Sequence, residues 1–200
     1  MRDERNGRIG CVVMASGQAS RFGGGKLLAS LGGRSVLSRT LACVKDQPGL
    51  EVKAASIFPQ IREEAVRCGV PCVIPEGPAL SDTIRAGLSG EWTERWEGCL
   101  FLPGDQPLIR PETIRNMILL FLEDCSAPVR LSWEGKAASP VLFPARMFGA
   151  LQSLSGEQGG NVLLKGRSDV RLCEAKYEWE LWDIDTPDDL ARIGQMPLFS

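Results

Sequence analysis

Short apolar runs alternate with helical patterns through the first 125 residues, and this alternation limits the possible folds more than any other feature of the sequence. Ile9 to Ala15 has the apolar continuity of a buried strand, and Ser35 to Lys45 has the periodicity of a helix. Further strands are expected at residues 52–58, 71–74 and 99–102, with IREEAVRCG as a helix between the first two. This pattern predicts a mostly parallel sheet with helices on both faces.

The pattern in the second half of the chain predicts a β-hairpin that extends this sheet. VRLSWEGKAASPVLF has the pattern of two strands about a turn at Glu134-Gly135, although Pro140 disfavours a central place for the second strand. PETIRNMILLFLED is expected to form a helix with Ile114, Met117, Ile118, Phe121 and Leu122 on one face. The other expected elements are helices at 145–154 and 160–165, a strand at 170–174 and a last helix from Pro187.

A chain of 200 residues suits one domain with a substantial core. We expect an α/β three-layer sandwich over residues 1–200, with its core at about 8–193, a mostly parallel Rossmann-like sheet and a C-terminal β-hairpin extension. Ligands of such sheets bind beyond the carboxyl ends of the strands. MASGQASRFGGGK and PGDQP both follow apolar runs, and both are therefore expected at that edge.

The absence of histidine excludes several kinds of catalysis. Ser-His-Asp and Cys-His nucleophiles and the usual zinc hydrolases all need an imidazole. The seven cysteines are scattered, and the one close pair, Cys68 and Cys72, lacks further soft ligands for zinc. Buried thiols in a reducing compartment are the expected state. The groups left for catalysis are carboxylates, cations and hydroxyls, with or without a bound ion.

Charge and hydropathy limit the possible partners. The net charge is -2 and the pI is about 5.4, so neither indicates a surface for nucleic acid. The N-terminal MRDERNGR lacks the apolar stretch of a signal peptide, and no segment reaches the ~18 apolar residues of a membrane span. We therefore expect a cytoplasmic protein with no nucleic-acid or membrane partner.

The loop after the first strand is rich in Gly, Ala and Ser and carries two cations, Arg21 and Lys26. Glycines allow backbone N–H groups to approach an anion closely. A Walker A loop would need Gly where the chain has Ser20, and Ser or Thr where it has Leu27. A dinucleotide fingerprint would need Gly in place of Leu28. The loop is therefore a candidate phosphate site of another kind.

FLPGDQP is the second candidate site. Asp105 follows an apolar strand at the expected ligand edge, and Gly104 removes steric bulk beside it. A carboxylate there suits Mg²⁺, although Asp105 could instead accept a backbone N–H within a turn. Before it along the chain, Ser81 has the side chain of an N-cap for the helix expected at DTIRAGLSG.

Together these motifs resemble the MobA-like nucleotidyltransferases. Residues Ala15-Ser16-Gly17 through Arg21 to Lys26 match the signature loop of that family, and GDQP, with Gln106, points within it to the molybdenum cofactor cytidylyltransferases. GPALSDTIRAGL, SPVLFPARMFGALQSLSGEQGGNVLL and WDIDTPDDL match later family segments in the correct order. The resemblance runs from about residue 8 to residue 193.

The resemblance implies transfer of CMP from CTP to the phosphate of molybdopterin, with release of pyrophosphate. That phosphate has a second pKa of about 6, so no general base is needed, which agrees with a chain that lacks histidine. The implied cofactor is Mg²⁺, with Mn²⁺ as an alternative, and the implied partner is a molybdenum hydroxylase that uses the finished cofactor.

The resemblance also implies roles for individual residues. Arg21, Lys26 and Asp105 are the expected catalytic residues, with the two cations on the triphosphate and Asp105 on the metal. Asp183 or Asp185 is expected as a second metal ligand, although Asp185-Thr186-Pro187 would also make a good helix start. The expected nucleotide-binding residues are Ala15, Ser16, Gly17, Arg21, Lys26, Ser81 and Gly104.

The sequence departs from the family pattern at positions that bear on the acceptor. Ser139 stands where a His often precedes Pro-Val-Leu-Phe, and Glu157 and Asn161 replace the Asp and Arg of Gly-Asp-x-Gly-x-Arg. Two other functions therefore remain. One is a nucleotidyltransferase that uses GTP or another phosphorylated acceptor, and the other is a non-catalytic carrier of molybdopterin or nucleotide.

Overall fold

The computed structural model describes residues 9–17, 22 and 25–199. The strands are β1 (Ile9–Met14), β2 (Ser30–Leu31), β3 (Arg34–Ser35), β4 (Leu50–Ala55), β5 (Cys72–Val73), β6 (Gly98–Pro103), β7 (Val129–Trp133), β8 (Lys136–Pro144) and β9 (Arg171–Glu174). The α-helices are α1 (Val36–Val44), α2 (Pro59–Arg67), α3 (Leu80–Gly87), α4 (Pro111–Glu123), α5 (Phe148–Gln152) and α6 (Pro187–Gly194). Short 3₁₀ turns occur at Lys26–Leu28, Glu91–Arg95, Ala145–Met147, Gly160–Leu164, Glu178–Leu181 and Pro197–Phe199.

The main sheet has the strand order β5-β4-β1-β6-β8-β7-β9. Strand β1 pairs in parallel with β4 and β6, and β4 pairs in parallel with β5. Strand β8 is antiparallel to both β6 and β7, while β9 is parallel to β7. Within this seven-stranded sheet only β8 runs against the others, and the prediction of a mostly parallel sheet extended by a β-hairpin is confirmed. Strands β2 and β3 form a separate antiparallel pair.

Helices cover both faces of this sheet. Cys11 and Val13 of β1 belong to one apolar cluster with residues of α1, α2, α4 and α6. Val12, which points the other way, belongs to a second cluster with residues of α3 and α5. Because both faces are covered, the first five residues of β1 are buried, as expected for a central parallel strand. This arrangement is the predicted three-layer sandwich.

Two details of the sequence prediction were wrong. Leu122 was placed on the apolar face of α4, but its side chain is 39% exposed, because the buried face of that helix ends at Phe121. Ser81 was predicted as an N-cap, but α3 starts at Leu80, after Ala79. There the Asp82 carboxylate accepts the Ala79 N–H at 3.1 Å, so Asp82 supplies the capping hydrogen bond.

The hairpin occupies a central place in the sheet despite Pro140. Strand β8 pairs on both sides, with β6 and with β7. The register between β7 and β8 shifts between Arg130 and Ser132, so regular pairing with β7 is interrupted near the proline. An irregularity of this kind is where a residue without an N–H can be accommodated inside a sheet.

Strand β4 contains a buried lysine. Lys53 is only 1% exposed, and its ammonium donates to the Ser89 carbonyl at 3.0 Å and lies 4.8 Å from the centroid of the Trp96 ring. Burial lowers the pKa of Lys53, although the nearby Cys99 and Glu51 oppose that effect.

None of the helices in the described part of the chain has the length and apolar character needed to cross a bilayer.

Candidate active site

Two loops leave the sheet side by side at the carboxyl ends of β1 and β6. Met14 and Pro103, the last residues of these strands, face each other in the register. The Gly104 N–H donates to the Met14 carbonyl at 2.9 Å, and the Thr40 hydroxyl donates to the Gly104 carbonyl at 2.9 Å. A Cβ at position 104 would lie 3.0 Å from the Met14 oxygen, so the close approach of these loops favours glycine.

Lys26 joins the two predicted acidic segments. Its Nζ atom lies 2.6 Å from Asp105 Oδ2 and 3.1 Å from Asp185 Oδ1. The side chain of Lys26 is 11% exposed and that of Asp105 is 19% exposed, so this contact is largely shielded from water. Ion pairs in such surroundings are less screened than surface pairs. The structure thus brings together three residues that the sequence places far apart.

The C-terminal segment is held next to Asp105 by backbone contacts. The Ile184 N–H donates to the Asp105 carbonyl at 3.0 Å. Thr186 is the N-cap of α6, because its hydroxyl accepts the Asp189 N–H at 3.1 Å. The Asp185 carboxylate does not cap the helix and contacts Lys26, so the helix-start alternative applies to Thr186 rather than to Asp185.

Sequence reasoning missed a buried carboxylate that fixes this segment. Glu180 is fully buried and accepts the N–H groups of Arg110, Lys176 and Tyr177 at 3.3, 3.1 and 3.2 Å, and the hydroxyl of Thr113. It therefore ties the 3₁₀ turn at 178–181 to the start of α4. No pattern in KYEWELW marks this glutamate as buried, because two of its donors, Arg110 and Thr113, come from a distant part of the chain.

Gln106 also connects three segments. Its amide nitrogen donates to the Ser139 carbonyl at 3.4 Å and to the Leu181 carbonyl at 3.3 Å. Its oxygen is buried and has no hydrogen-bond partner among the described residues. Gln106 thus links the loop after β6 to β8 and to the segment that carries Asp183 and Asp185.

The acidic groups influence one another electrostatically. Partial desolvation lowers the pKa of Lys26, but the charges and hydrogen bonds of Asp105 and Asp185 outweigh it, so the pKa lies above its ordinary value. The pKa of Asp183 is also raised, first by partial desolvation and then by the negative charges of Asp105 and Asp185. Lys26 is therefore an ammonium ion at neutral pH, among three carboxylates that repel one another.

This set of groups is chemically suited to a divalent cation. Hard carboxylate oxygens are the donors that Mg²⁺ and Mn²⁺ prefer, and Asp183 lies close enough to Asp105 and Asp185 for their charges to add to desolvation in raising its pKa. Within the described residues, no group of three or more His, Cys, Asp or Glu side chains is already arranged around a metal position. The Lys26 ammonium instead bridges Asp105 and Asp185. The residues fit the ion by chemistry, and two of the three carboxylates are in contact with Lys26.

Two clefts flank Gly17. One has a cavity volume of about 380 Å³, and its described lining includes Gly17, Lys26 and the start of α2 at Gln60. The other has a similar volume, and its described walls are mostly apolar, with Leu80, Phe101 and Phe143 among them. A cation lines the first cleft, whereas Asp105 lies at the edge of the second. The site therefore separates a cationic cleft from an apolar one.

The other predicted site residues lie in different positions. Ala15 and Ser16 are buried, and the Ser16 hydroxyl donates to the Ala55 carbonyl at 3.3 Å. Ser81 is fully buried inside α3 and does not line either cleft, while its neighbours Leu80 and Thr83 do. The predicted nucleotide-binding role of Ser81 stays a prediction. Arg21 lies outside the described residues, as does Gly23.

The positions that depart from the family pattern converge on the apolar cleft. Ser139 lies in the irregular part of β8, while Glu157 and Asn161 lie on either side of Gly159 and Gly160. All three departures line the same cavity as Asp105. The sequence could identify them as unusual, but only the fold shows that they share one site.

Comparison with known proteins is consistent with this geometry. The MobA-like NTP transferase domain family matches residues 11–172. A probable molybdenum cofactor guanylyltransferase from Aquifex aeolicus (strain VF5) is 27% identical over 188 residues, which cover 92% of this chain and 89% of that protein. The matched region contains both loops that meet at Gly104.

Solved structures share the fold. A homologue of Rv0371c from Mycobacterium sp. strain JC1 superimposes with a TM-score of 0.79 at 24% identity, covering 94% of this chain and 96% of that one. Rv0371c from Mycobacterium tuberculosis H37Rv, in complex with manganese, has a TM-score of 0.72 at 25% identity, covering 93% of this chain and 97% of that one. The second of these structures contains manganese.

Proposed function

The chain belongs to the MobA-like NTP transferase family and is a nucleotidyltransferase, and we propose that it transfers CMP from CTP to the phosphate of molybdopterin. The observation that carries this proposal is the contact of Lys26 with Asp105 and Asp185 beside Gly17, at the carboxyl edge of the sheet. A cation for a triphosphate and carboxylates for a metal lie together there. Substrates of α/β sheets bind at that edge.

The choice of CTP rests on one residue. Gln106 stands in GDQP, the form of this motif that resembles the cytidylyltransferases of the family. GTP is the second candidate donor, and a separate observation favours it: the relative that spans 92% of this chain is a probable guanylyltransferase. The two donors differ only in the base, so the transfer chemistry is the same for both.

The apolar cleft supports a ring-bearing acceptor. Its described walls are mostly apolar, and it opens beside Asp105. Small-molecule sites are typically apolar cavities with a few polar groups that set orientation. A pterin ring placed there would bring its attached phosphate towards Asp105 and Gly17. A molybdenum hydroxylase would then be the enzyme that receives the product.

The reaction is a substitution at phosphorus. A phosphate oxygen of the acceptor forms a bond to the α-phosphorus of the nucleotide, and the bond from that phosphorus to the bridging oxygen breaks as pyrophosphate leaves. The attacking phosphate is largely ionised at neutral pH, since its second pKa is about 6. No residue has to remove a proton. The protein contributes by holding three anionic groups in line and neutralising their charge.

Lys26 supplies positive charge at the site of the triphosphate. Its raised pKa keeps it charged, and the cleft that it lines also contains Gly17 and Gly25, where the backbone is accessible. We assign Arg21 to the same triphosphate on the basis of its position in the signature loop. Ala15 and Ser16 hold the start of the loop against β4, because both donate hydrogen bonds to the Ala55 carbonyl. Gly104 fixes the backbone next to Asp105 through its hydrogen bond to the Met14 carbonyl.

Asp105, Asp183 and Asp185 are the residues that would hold Mg²⁺ or Mn²⁺. When bound, such an ion would polarise the phosphate and stabilise negative charge during transfer. The manganese complex of Rv0371c supports a metal in this fold. Asp105 is the best placed of the three, because its backbone is fixed by Gly104 on one side and by Ile184 on the other.

A single assay tests the proposal. The protein is incubated with molybdopterin, Mg²⁺ or Mn²⁺ and each nucleoside triphosphate in turn, and released pyrophosphate is measured. Release with CTP alone is the expected result. Release with GTP or with another phosphorylated acceptor would support the second candidate, and binding of molybdopterin without release would identify a carrier and contradict the proposal.

A further inference from the structure

Glu157 is the second acidic residue of the apolar cleft. The described lining of this cavity contains two charged side chains, Asp105 and Glu157, and both are acidic. A phosphate would be repelled from the Glu157 end, whereas the cleft with Lys26 would attract it. The ligand group that fits an apolar cavity with a carboxylate at its edge is a neutral ring with N–H donors.

The loop that carries Glu157 is fixed to α3 at two points. The Ser81 N–H donates to the Gly156 carbonyl at 3.1 Å, and the Arg85 guanidinium donates to the Leu154 carbonyl at 2.6 Å. After Glu157, Gly160 packs so closely that an added Cβ would lie 2.5 Å from the Phe143 ring. Glu157 therefore projects from a segment that is positioned in advance of binding.

The carboxylate of Glu157 is available for a ligand. Within the described part of the chain it has no hydrogen-bond or ion-pair partner. Its two oxygens can accept two parallel hydrogen bonds, as carboxylates do from arginine. The complementary group is a ring N–H next to an exocyclic amino group.

We propose that Glu157 recognises the 2-amino-4-pyrimidinone edge of a heterocycle bound in the apolar cleft. Its carboxylate accepts one hydrogen bond from the ring N–H and one from the adjacent amino group. Pterins and guanine share this edge, whereas cytosine presents its amino group beside a ring nitrogen that is an acceptor. The proposal deepens the proposed function and rests on it, because it selects the acceptor ring of that reaction or, with the second candidate donor, the guanine base of GTP.

The first test measures binding and needs no turnover. The fluorescence of 6-hydroxymethylpterin is titrated with the protein, and the titration is repeated with 6-hydroxymethyllumazine, which has an oxygen in place of the 2-amino group. The wild-type protein is expected to bind the pterin at least tenfold more tightly, since a hydrogen bond to a charged group contributes about that factor or more. Glu157→Ala is expected to bind the two rings within about twofold of each other.

A second arm identifies the source of the ring. Binding of GTP is compared with binding of ITP, which lacks the 2-amino group, in the wild-type protein and in Glu157→Ala. If the variant loses only the pterin preference, Glu157 recognises the acceptor. If it loses only the GTP preference, Glu157 recognises the donor base. Both results support the proposal.

Two controls separate recognition from damage to the protein. Glu157→Gln keeps the size of the side chain but offers a single acceptor oxygen, so an intermediate preference is expected. Glu94→Ala removes an exposed glutamate from the 3₁₀ turn at 91–95 and should leave both preferences unchanged. Unchanged preferences in Glu157→Ala would overturn the proposal. The proposed transfer could fail in the pyrophosphate assay while these binding preferences persist, so the two failures are distinguishable.

Discussion

Lys26 Nζ lies 2.6 Å from Asp105 Oδ2, so the cation proposed for the triphosphate is bound to the carboxylate proposed for the metal. The same ammonium contacts Asp185 at 3.1 Å. In this state each partner neutralises the other. Binding of a nucleotide and a divalent ion must therefore exchange these contacts for new ones, and the predictions below follow from that exchange.

Lys26→Ala is expected to reduce kcat/KM for pyrophosphate release by roughly 30- to 1,000-fold, or about 2–4 kcal/mol, the size of effect seen when one electrostatic donor is removed. Steady-state rates at saturating Mg²⁺ measure it. Lys136→Ala, at the exposed start of β8, is the matched control and should retain the wild-type rate. Near-native activity of the Lys26 variant would exclude the assigned role.

The same substitution should have the opposite effect on the bare metal. Without the ammonium between them, Asp105 and Asp185 are expected to bind Mn²⁺ at least tenfold more tightly in the nucleotide-free protein, or about 1.4 kcal/mol. Electron paramagnetic resonance of free Mn²⁺ gives the dissociation constant. Equal or weaker binding by Lys26→Ala than by Lys136→Ala would show that Lys26 does not compete with the ion.

Asp105→Asn should abolish metal-dependent turnover, because an amide is a poorer ligand for a hard cation and leaves Lys26 with Asp185 alone. The variant should fold, since Asn keeps the shape of the side chain and the backbone bond from Ile184 is unaffected. Pyrophosphate release and the thermal midpoint are measured together. Asp46→Asn, at an exposed position after α1, serves as the control. Retained turnover in the Asp105 variant would disqualify this residue as the ligand.

Gly104→Ala should lower activity by displacing Asp105. The added Cβ would lie 3.0 Å from the Met14 carbonyl, so the loop after β6 must move. The expected result is a loss of kcat with a small loss of stability, since a displacement of about 1 Å in a catalytic group can cost 100-fold in rate. Gly149→Ala, where a Cβ meets nothing within 4 Å, is the comparison and should leave kcat unchanged. Equal kcat values for the two variants would contradict the prediction.

The lowered pKa of Lys53 predicts how the free energy of unfolding depends on pH. Burial depresses its pKa in the folded protein, whereas in the unfolded chain the pKa returns to about 10.5. Between these two values the unfolded state binds more protons, so the free energy of unfolding must rise with pH. Lys53→Met removes this contribution. Urea unfolding at pH 7.5, 9 and 10 should show the wild-type protein gaining stability relative to Lys53→Met, and a difference that stays constant or falls would be inconsistent with a depressed pKa.

Local sequence patterns predicted most of the fold. Apolar continuity located β1 and β6, and turn residues located the β7–β8 hairpin, because these signals act over a few neighbouring residues. Ser81 was assigned wrongly because its hydroxyl suits a cap, while the helix begins after Ala79 and is capped by Asp82. Leu122 was assigned wrongly because periodicity does not show where a neighbouring element stops covering a helix.

The sequence could predict at which edge of the sheet the site lies, but not which side chains contact one another there. The positions of Lys26 and Asp105 follow from the rule that ligands bind at the carboxyl ends of parallel strands. Their direct contact, and the convergence of Glu157 with Ser139 and Asn161, depend on packing between residues far apart in the sequence. Glu180 is a further case, since two of its donors, Arg110 and Thr113, lie 70 and 67 positions away at the start of α4.

Lys26 and Asp185 are separated by 159 positions, so their contact closes almost the whole chain into one loop. Contacts of such long range are entropically costly to form, and they are expected late during folding. A nascent or partly folded chain would contain the glycine-rich loop without the aspartate that completes its surroundings. Given the metal role proposed for Asp185, nucleotidyl transfer would begin only when the last segment docks, and the appearance of activity would mark the completion of folding.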